Sequence, residues 1–209
     1  MANDNFPRGL VPLNFNPKSH ANYYKVSTAA DIWLGEPVVL SASGYVVAGS
    51  ITGYIQYLGV AVGFAGVKKT GLATDDPFLD VSDLPGNFGS GDRYVLVADR
   101  PDQEFYIQAD TGGSALTQAA AGTAIDGIYR GATGTVRDGN TTSGWANLEL
   151  DRSTTVSTLS SPLQLLRLHD NVNTDGSDND VSANFEKWVV KIVNHQKAGG
   201  TLPVTGVIV

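Results

Sequence analysis

The chain has 209 residues, 24 of them Gly and 9 Pro, with no Cys, and its 21 Asp and Glu against 14 Lys and Arg give a formal charge of -7 at pH 7. The absence of Cys excludes disulfide frameworks, thiolate nucleophiles and Cys-ligated zinc. The acidic balance argues against a phosphate-clamping surface, because nucleic-acid affinity rests mainly on Lys and Arg displacing counterions.

The opening MANDNFPRGLVPLNF carries an acid where a signal peptide has a basic region, and Pro7 and Pro12 interrupt its apolar residues. No apolar run approaches the ~20 residues that cross a bilayer. The expectation is therefore a protein made in the cytoplasm, with neither membrane nor nucleic acid as partner.

Residues 1–22 read as an extended arm without helix, since Pro7, Pro12 and Pro17 remove donors and bias their predecessors toward extended backbone. Phe6, Leu10, Val11, Leu13 and Phe15 make the arm more apolar than a solvated tail. It either packs on its own domain or docks on a neighbouring subunit.

Short Val-, Tyr- and Leu-rich runs then alternate with Gly turns: Tyr23–Val26, Pro37–Leu40, Tyr45–Ala48 and Leu58–Phe64. Ser27–Trp33 is the early helical candidate, with Ser27 as cap. Lys68–Gly91 reads as a long surface connection. Arg93–Asp99 and Glu104–Asp110 are the clearest strands, the second alternating Phe105, Ile107 and Ala109 with polar residues. With Arg100–Gln103 between them they predict a β-hairpin.

Thr111–Ser143 is Gly-, Ala- and Thr-rich, with a brief helical turn expected at Ala119–Ala121. Strand character returns at Trp145–Asp151, Pro162–His169 and Lys187–His195, the last two separated by a polar loop over 170–183. The fold class predicted is all-β: a sandwich or barrel of short antiparallel strands, with the N-terminal arm and long loops.

Signals for chemistry are sparse. His20, His169 and His195 lack the i, i+4 spacing of a zinc helix, and His195 reads as a structural, hydrogen-bonded residue. No G-x-S-x-G elbow presents a serine, and the Gly runs at 86–91 and 131–134 lack the Lys-Ser/Thr of a phosphate loop. Asn171–Ser182 begins like a calcium loop but has Ser182 where a bidentate acid belongs. Asp75/Asp76 and Asp178/Asp180 lie in polar loops, and a glycosidase pair needs carboxylates roughly 5 to 10 Å apart with one in an apolar pocket. Tyr23, Tyr24, Tyr54, Tyr57 and Trp145 suit either a sugar platform or ordinary packing. No catalytic residue, metal or cofactor is predicted.

Several stretches occur in an order that resembles the capsid decoration, or cement, proteins of tailed bacteriophages. They are Met1-Ala2-Asn3 with Phe6-Pro7-Arg8-Gly9-Leu10 and Pro12; Tyr23-Tyr24; Leu34-Gly35-Glu36-Pro37-Val38; and Gly59 to Phe64. Arg93 to Asp99, Pro101-Asp102 and Phe105 to Gln108 follow. Leu148 to Asp151 with Ser153-Thr154, Pro162 to Leu168, and Lys187 to Gln196 complete the set.

The resemblance implies a non-enzymatic virion protein on the outer capsid surface, made in the bacterial host cytoplasm and bridging capsomers. Its partners would be the major capsid protein and its own copies, a trimer being preferred to a dimer. The division implied is an arm over 1–22, a body over 23–196 and an extension over 197–209. Within the arm, Phe6, Pro7, Arg8, Leu10, Pro12, Leu13 and Phe15 are the candidate capsid- or subunit-binding residues. Other classes that fit the composition are a tail-tube or head-completion subunit, a carbohydrate-binding host-attachment module and, without a geometric signature, a hydrolase.

Overall fold

The computed structural model describes residues 3–26, 31–51, 55–68, 71–72, 93–129, 139–140, 143–154, 161–170, 178–180 and 184–198. In chain order the strands are β1 (Val11–Pro12), β2 (Ala21–Lys25), β3 (Pro37–Leu40), β4 (Val46–Ala48), β5 (Gly59–Lys68), β6 (Gly71–Leu72) and β7 (Arg93–Ala98). They continue with β8 (Glu104–Gln108), β9 (Ala124–Ile125), β10 (Gly127–Tyr129), β11 (Leu148–Leu150), β12 (Leu163–Leu168) and β13 (Lys187–Ile192). The predicted all-β class is correct, and the sheets pack as a sandwich.

One sheet has the order β1-β8-β13-β12-β9, a second β2-β7-β5-β3-β4 with β6 on the end of β5, β10 and β11 form a separate two-stranded sheet, and among the described residues every ladder is antiparallel. A bridge between Val26, just after β2, and Val46 of β4 joins the outer strands of the second sheet and curls it round a private core. That core holds Val26, Ile32, Val38, Val46, Leu58, Ala61, Val95 and Val97. The larger core lies between the sheets: Phe105, Ile107, Leu165, Trp188 and Val190 from one side meet Tyr57, Val60 and Ala98 from the other. Each fully buried Val, Leu, Ile or Phe side chain contributes roughly 1.5–3 kcal/mol of transfer free energy.

The predicted hairpin does not form. β7 is paired on both edges by β2 and β5, and β8 on both edges by β1 and β13. The turn closed by Gln103 N–H donating to the Arg100 carbonyl (3.1 Å) instead carries the chain from one sheet to the other. The arm is not helix-free either: Pro17–His20 forms one turn, α1, with Asn16 Oδ1 accepting from Lys18 N–H (3.0 Å) and Pro17 at the first position, where its missing donor costs nothing. Of the predicted helix at 27–33, residues 27–30 lie outside the described set, and the rest is not helical; Ile32 and Trp33 are buried, and Leu34 bridges Trp145. Within the predicted surface connection, Gly71–Leu72 pairs back on Val67 and Lys68, while residues 73–92 lie outside the described set. The short turn expected near residue 120 is a 3-10 turn at Gln118–Ala120.

Candidate functional site

The arm is laid on its own body, the first of the two readings the sequence left open. Asn3 is buried, its Nδ2 donating to the carbonyls of Asp180 (2.8 Å) and Asn184 (3.0 Å) while Oδ1 accepts from Asp180 N–H (2.8 Å). Phe6 N–H donates to Gln108 Oε1 (2.8 Å), and Gln108 Nε2 donates to Asn5 Oδ1 (3.1 Å) and to Glu149 Oε1 (2.6 Å). Gly9 and Gly35 then pass in contact, with positive φ of 63° and 79°. A Cβ on Gly35 would stand 2.1 Å from the Arg8 carbonyl oxygen, so only glycine permits the crossing.

That crossing drives Leu10 into the main core, where it is fully buried and its N–H donates to the Gly35 carbonyl (2.9 Å). Leu10 is therefore a core residue and is not available to fill a pocket on another molecule. Val11 and Pro12 pair with Tyr106 and Phe105, closing the β8 edge with a residue that cannot extend the ladder. Pro7, Pro12, Leu13 and Phe15 are half-buried against the body. Of the predicted contact residues, Phe6 and Arg8 remain exposed: Phe6 is 54% exposed, with the Arg8 guanidinium 4.5 Å above its ring centroid.

Phe6 and Arg8 border the outer face of the five-stranded sheet. Because Phe105, Ile107, Trp188 and Val190 point into the core, Glu104, Tyr106 and Gln108 of β8 lie on the opposite face, with Lys187, Val189 and Lys191 across from them on β13; Gln108, Lys187 and Val189 are nevertheless buried. Arg167, beside Val189, joins this face after a register shift in β12, and its Nη1 lies 2.9 Å from Glu104 Oε2. Tyr106 stacks on His169 with ring centroids 4.8 Å apart. At the Glu104 end an open groove of about 350 Å³ is lined by Leu13, Asn14, His20, Arg100, Asp102, Gln103 and Glu104.

The other sequence candidates do not come together. Tyr57 is a core residue whose burial pushes its phenol far up, whereas Tyr23 is 60% exposed on β2, so the proposed aromatic platform is split. Asp75, Asp76 and Tyr54 lie outside the described residues, as does most of the calcium-like loop at 171–182. His195 is buried, with Nδ1 accepting from Lys197 N–H (3.0 Å), the structural role expected of it; burial pushes its imidazole down, as it does for His169. Among the described residues, no three His, Asp or Glu side chains gather as a metal-binding group.

Two polar clusters were missed. Asp99, buried at the end of β7, accepts from Asn22 Nδ2 (2.9 and 3.1 Å), the Tyr24 hydroxyl and Lys197 Nζ. Burial opposes its ionisation, but the contacts from Lys197, Tyr24 and Asn22 prevail and hold the carboxyl below its ordinary value. The second cluster centres on buried Arg152, which donates to the Ser114 and Asp110 carbonyls and to Asn184 Oδ1, with Glu186 Oε1 3.4 Å away. Burial pushes both Glu186 and Asp110 up. The only sequence signal for either was a charged residue next to a strong strand.

No family model, curated protein or solved structure matches the chain.

Proposed function

We propose that the protein is a structural component of a tailed-bacteriophage virion that binds the outer face of the head and stiffens the lattice by bridging capsomers. The major capsid protein is its partner, and it acts as a homo-oligomer, with three copies preferred at a local three-fold position. The ordered motifs from the arm to Gln196 supply the class. The structural observation that supports it is Phe6, half-exposed beneath Arg8 on a strap pinned to a rigid two-sheet body. A pre-ordered aromatic–Arg pair loses little side-chain entropy on contact, as an anchor in a lattice requires.

Because Leu10 belongs to the core, deleting the arm would test folding rather than binding. Phe6→Ala combined with Arg8→Ala removes the exposed pair and leaves the strap's buried contacts in place. Co-sedimentation with undecorated heads is expected to fall about tenfold or more, as for loss of an interface anchor. Full occupancy by the folded double variant would remove the strap from the contact. Absence of wild-type binding to heads, with the chain found elsewhere in the particle by cryo-electron microscopy, would overturn the reading itself.

A further inference from the structure

We infer that the outer edge of β2 is the acceptor for residues 204–209 of a second copy of this chain, which add to it as a strand and so link the copies. The inference rests on the proposed reading for the homo-oligomer, which it deepens, and on no contact with the head.

Among the described residues β2 is the last strand of its sheet. At its two ends the Val26 N–H donates to the Arg93 carbonyl (2.9 Å) and the His20 carbonyl accepts from the Asp99 N–H (3.3 Å). Residues bonded in this way alternate along an antiparallel ladder with residues whose N–H and C=O point the other way. Asn22 and Tyr24 therefore face β7, while Ala21 and Tyr23 turn their backbone groups outward. Tyr23 also presents an aromatic ring there, at 60% exposure.

Other edges are stopped. Val11 and Pro12 lie along β8, and the Gln196 side chain caps Leu40 at the end of β3, its Oε1 accepting from the Leu40 N–H (2.8 Å) and its Nε2 donating to the Leu40 carbonyl (3.1 Å). Between Ala21 and Tyr23 there is no proline and, among the described residues, no such cap.

The occupant follows from the chain beyond Lys197. Lys197 is fixed to Asp99 and its Nζ lies 5.6 Å from the centroid of the Tyr24 ring, so the residues after it start beside β2. Residues 199–209 carry no charge, and Val204-Thr205-Gly206-Val207-Ile208-Val209 is dominated by β-branched residues that favour strands. Left unpaired, such a segment is an aggregation hazard. Before it come Gly199, Gly200 and Pro203, which pair poorly. An extended spacer advances ~3.3 Å per residue, so it reaches roughly 23 Å by Val204, farther than the roughly 17 Å length of a five-residue strand such as β2. The spacing thus leaves the poorly pairing residues beside their own β2 and carries the strand-forming ones to a neighbour's. Main-chain bonds supply the affinity in strand addition of this kind, and an uncharged segment suits the bare backbone and the Tyr23 ring.

The test compares three chains by analytical ultracentrifugation at about 10 μM: the wild type, a chain cut after Leu202, and Tyr23→Pro. Proline at 23 removes only an outward-facing donor, since Asn22 and Tyr24 hold β2 to β7. The wild type is expected to be oligomeric and both variants monomeric. When the variants are mixed, the truncated chain offers an open edge and Tyr23→Pro offers the strand, so a one-to-one dimer should form that neither makes alone. If circular dichroism shows Tyr23→Pro to be unfolded, a labelled peptide of residues 199–209 takes its place; its binding to the truncated chain supports the inference and its failure to bind overturns it.

A monomeric wild type overturns the inference, and so does an oligomer that survives truncation. Two monomeric, folded variants that do not complement each other on mixing overturn it as well. No head enters these measurements, so failure here leaves the virion reading to the Phe6 and Arg8 test. Complementation in a chain that does not bind heads would keep this inference and remove the virion role.

Discussion

Asp99→Ala tests the arrangement that ties β2, β7 and the C-terminal turn together. The substitution removes a buried carboxylate that accepts from Asn22, Tyr24 and Lys197. Hydrogen bonds to a charged group contribute about 1.5–3 kcal/mol each when fully desolvated. Here the donors reach solvent, the Lys197 side chain being 41% exposed, so the sum must be cut by more than half for screening and rehydration. The expected loss is about 2–3 kcal/mol, or about 5–10 °C in Tm for a chain of this size.

Lys197→Met removes only the half-solvated partner and should cost about 0.5 kcal/mol. Urea unfolding measured from pH 7 to pH 3 gives the sign. Because the contacts hold the Asp99 carboxyl below its unfolded value near 3.9, its contribution is complete above that pH and disappears as pH falls through the folded value. The gap between wild type and Asp99→Ala should therefore narrow toward pH 3. A gap that stays constant over the range, or one below about 0.5 kcal/mol at pH 7, would refute the assignment of Asp99 as a charged clamp.

Leu10→Ala should cost about 2–5 kcal/mol in urea unfolding, whereas Phe6→Ala should change stability by less than about 0.5 kcal/mol; equal effects would contradict the division between core and exposed strap residues. Gly35→Ala places a Cβ 2.1 Å from the Arg8 carbonyl oxygen at positive φ, and should release the strap, seen as fast amide exchange at Leu10. Burial holds His195 below its ordinary value, so the unfolded chain binds its proton first and stability falls as pH drops below about 6.5. His195→Phe should flatten the pH 7 to pH 5 slope of the unfolding free energy.

The strands were legible because alternation is a local property. Phe105, Ile107 and Ala109 announce a sheet with one wet face, and Trp188, Val190 and Ile192 do the same for β13. Which strand pairs with which is not local. The Arg100–Gln103 turn is tight enough for a hairpin, and nothing in its four residues records that β2 and β5 already flank β7. The candidate site was half legible for the same reason. The apolar excess of the arm was visible, but Phe6 and Leu10 look alike in sequence, and the glycine crossing at Gly9 and Gly35 sends one into the core and leaves the other outside.

The turn from β7 to β8 also bears on the proposed role, because it carries the chain from one sheet to the other. A hairpin there would have placed both strands in one sheet. Instead, Ala98 packs in the core between the sheets, Val95 and Val97 in the core of the curled sheet, and Phe105 and Ile107 on the far side of the first core. Asp99 sits at the crossing, buried itself and joined to β2 through Tyr24 and to the C-terminal turn through the half-solvated Lys197. Under the proposed capsid role, a protein weakened at Asp99 should occupy heads normally at rest yet shed from them first on heating.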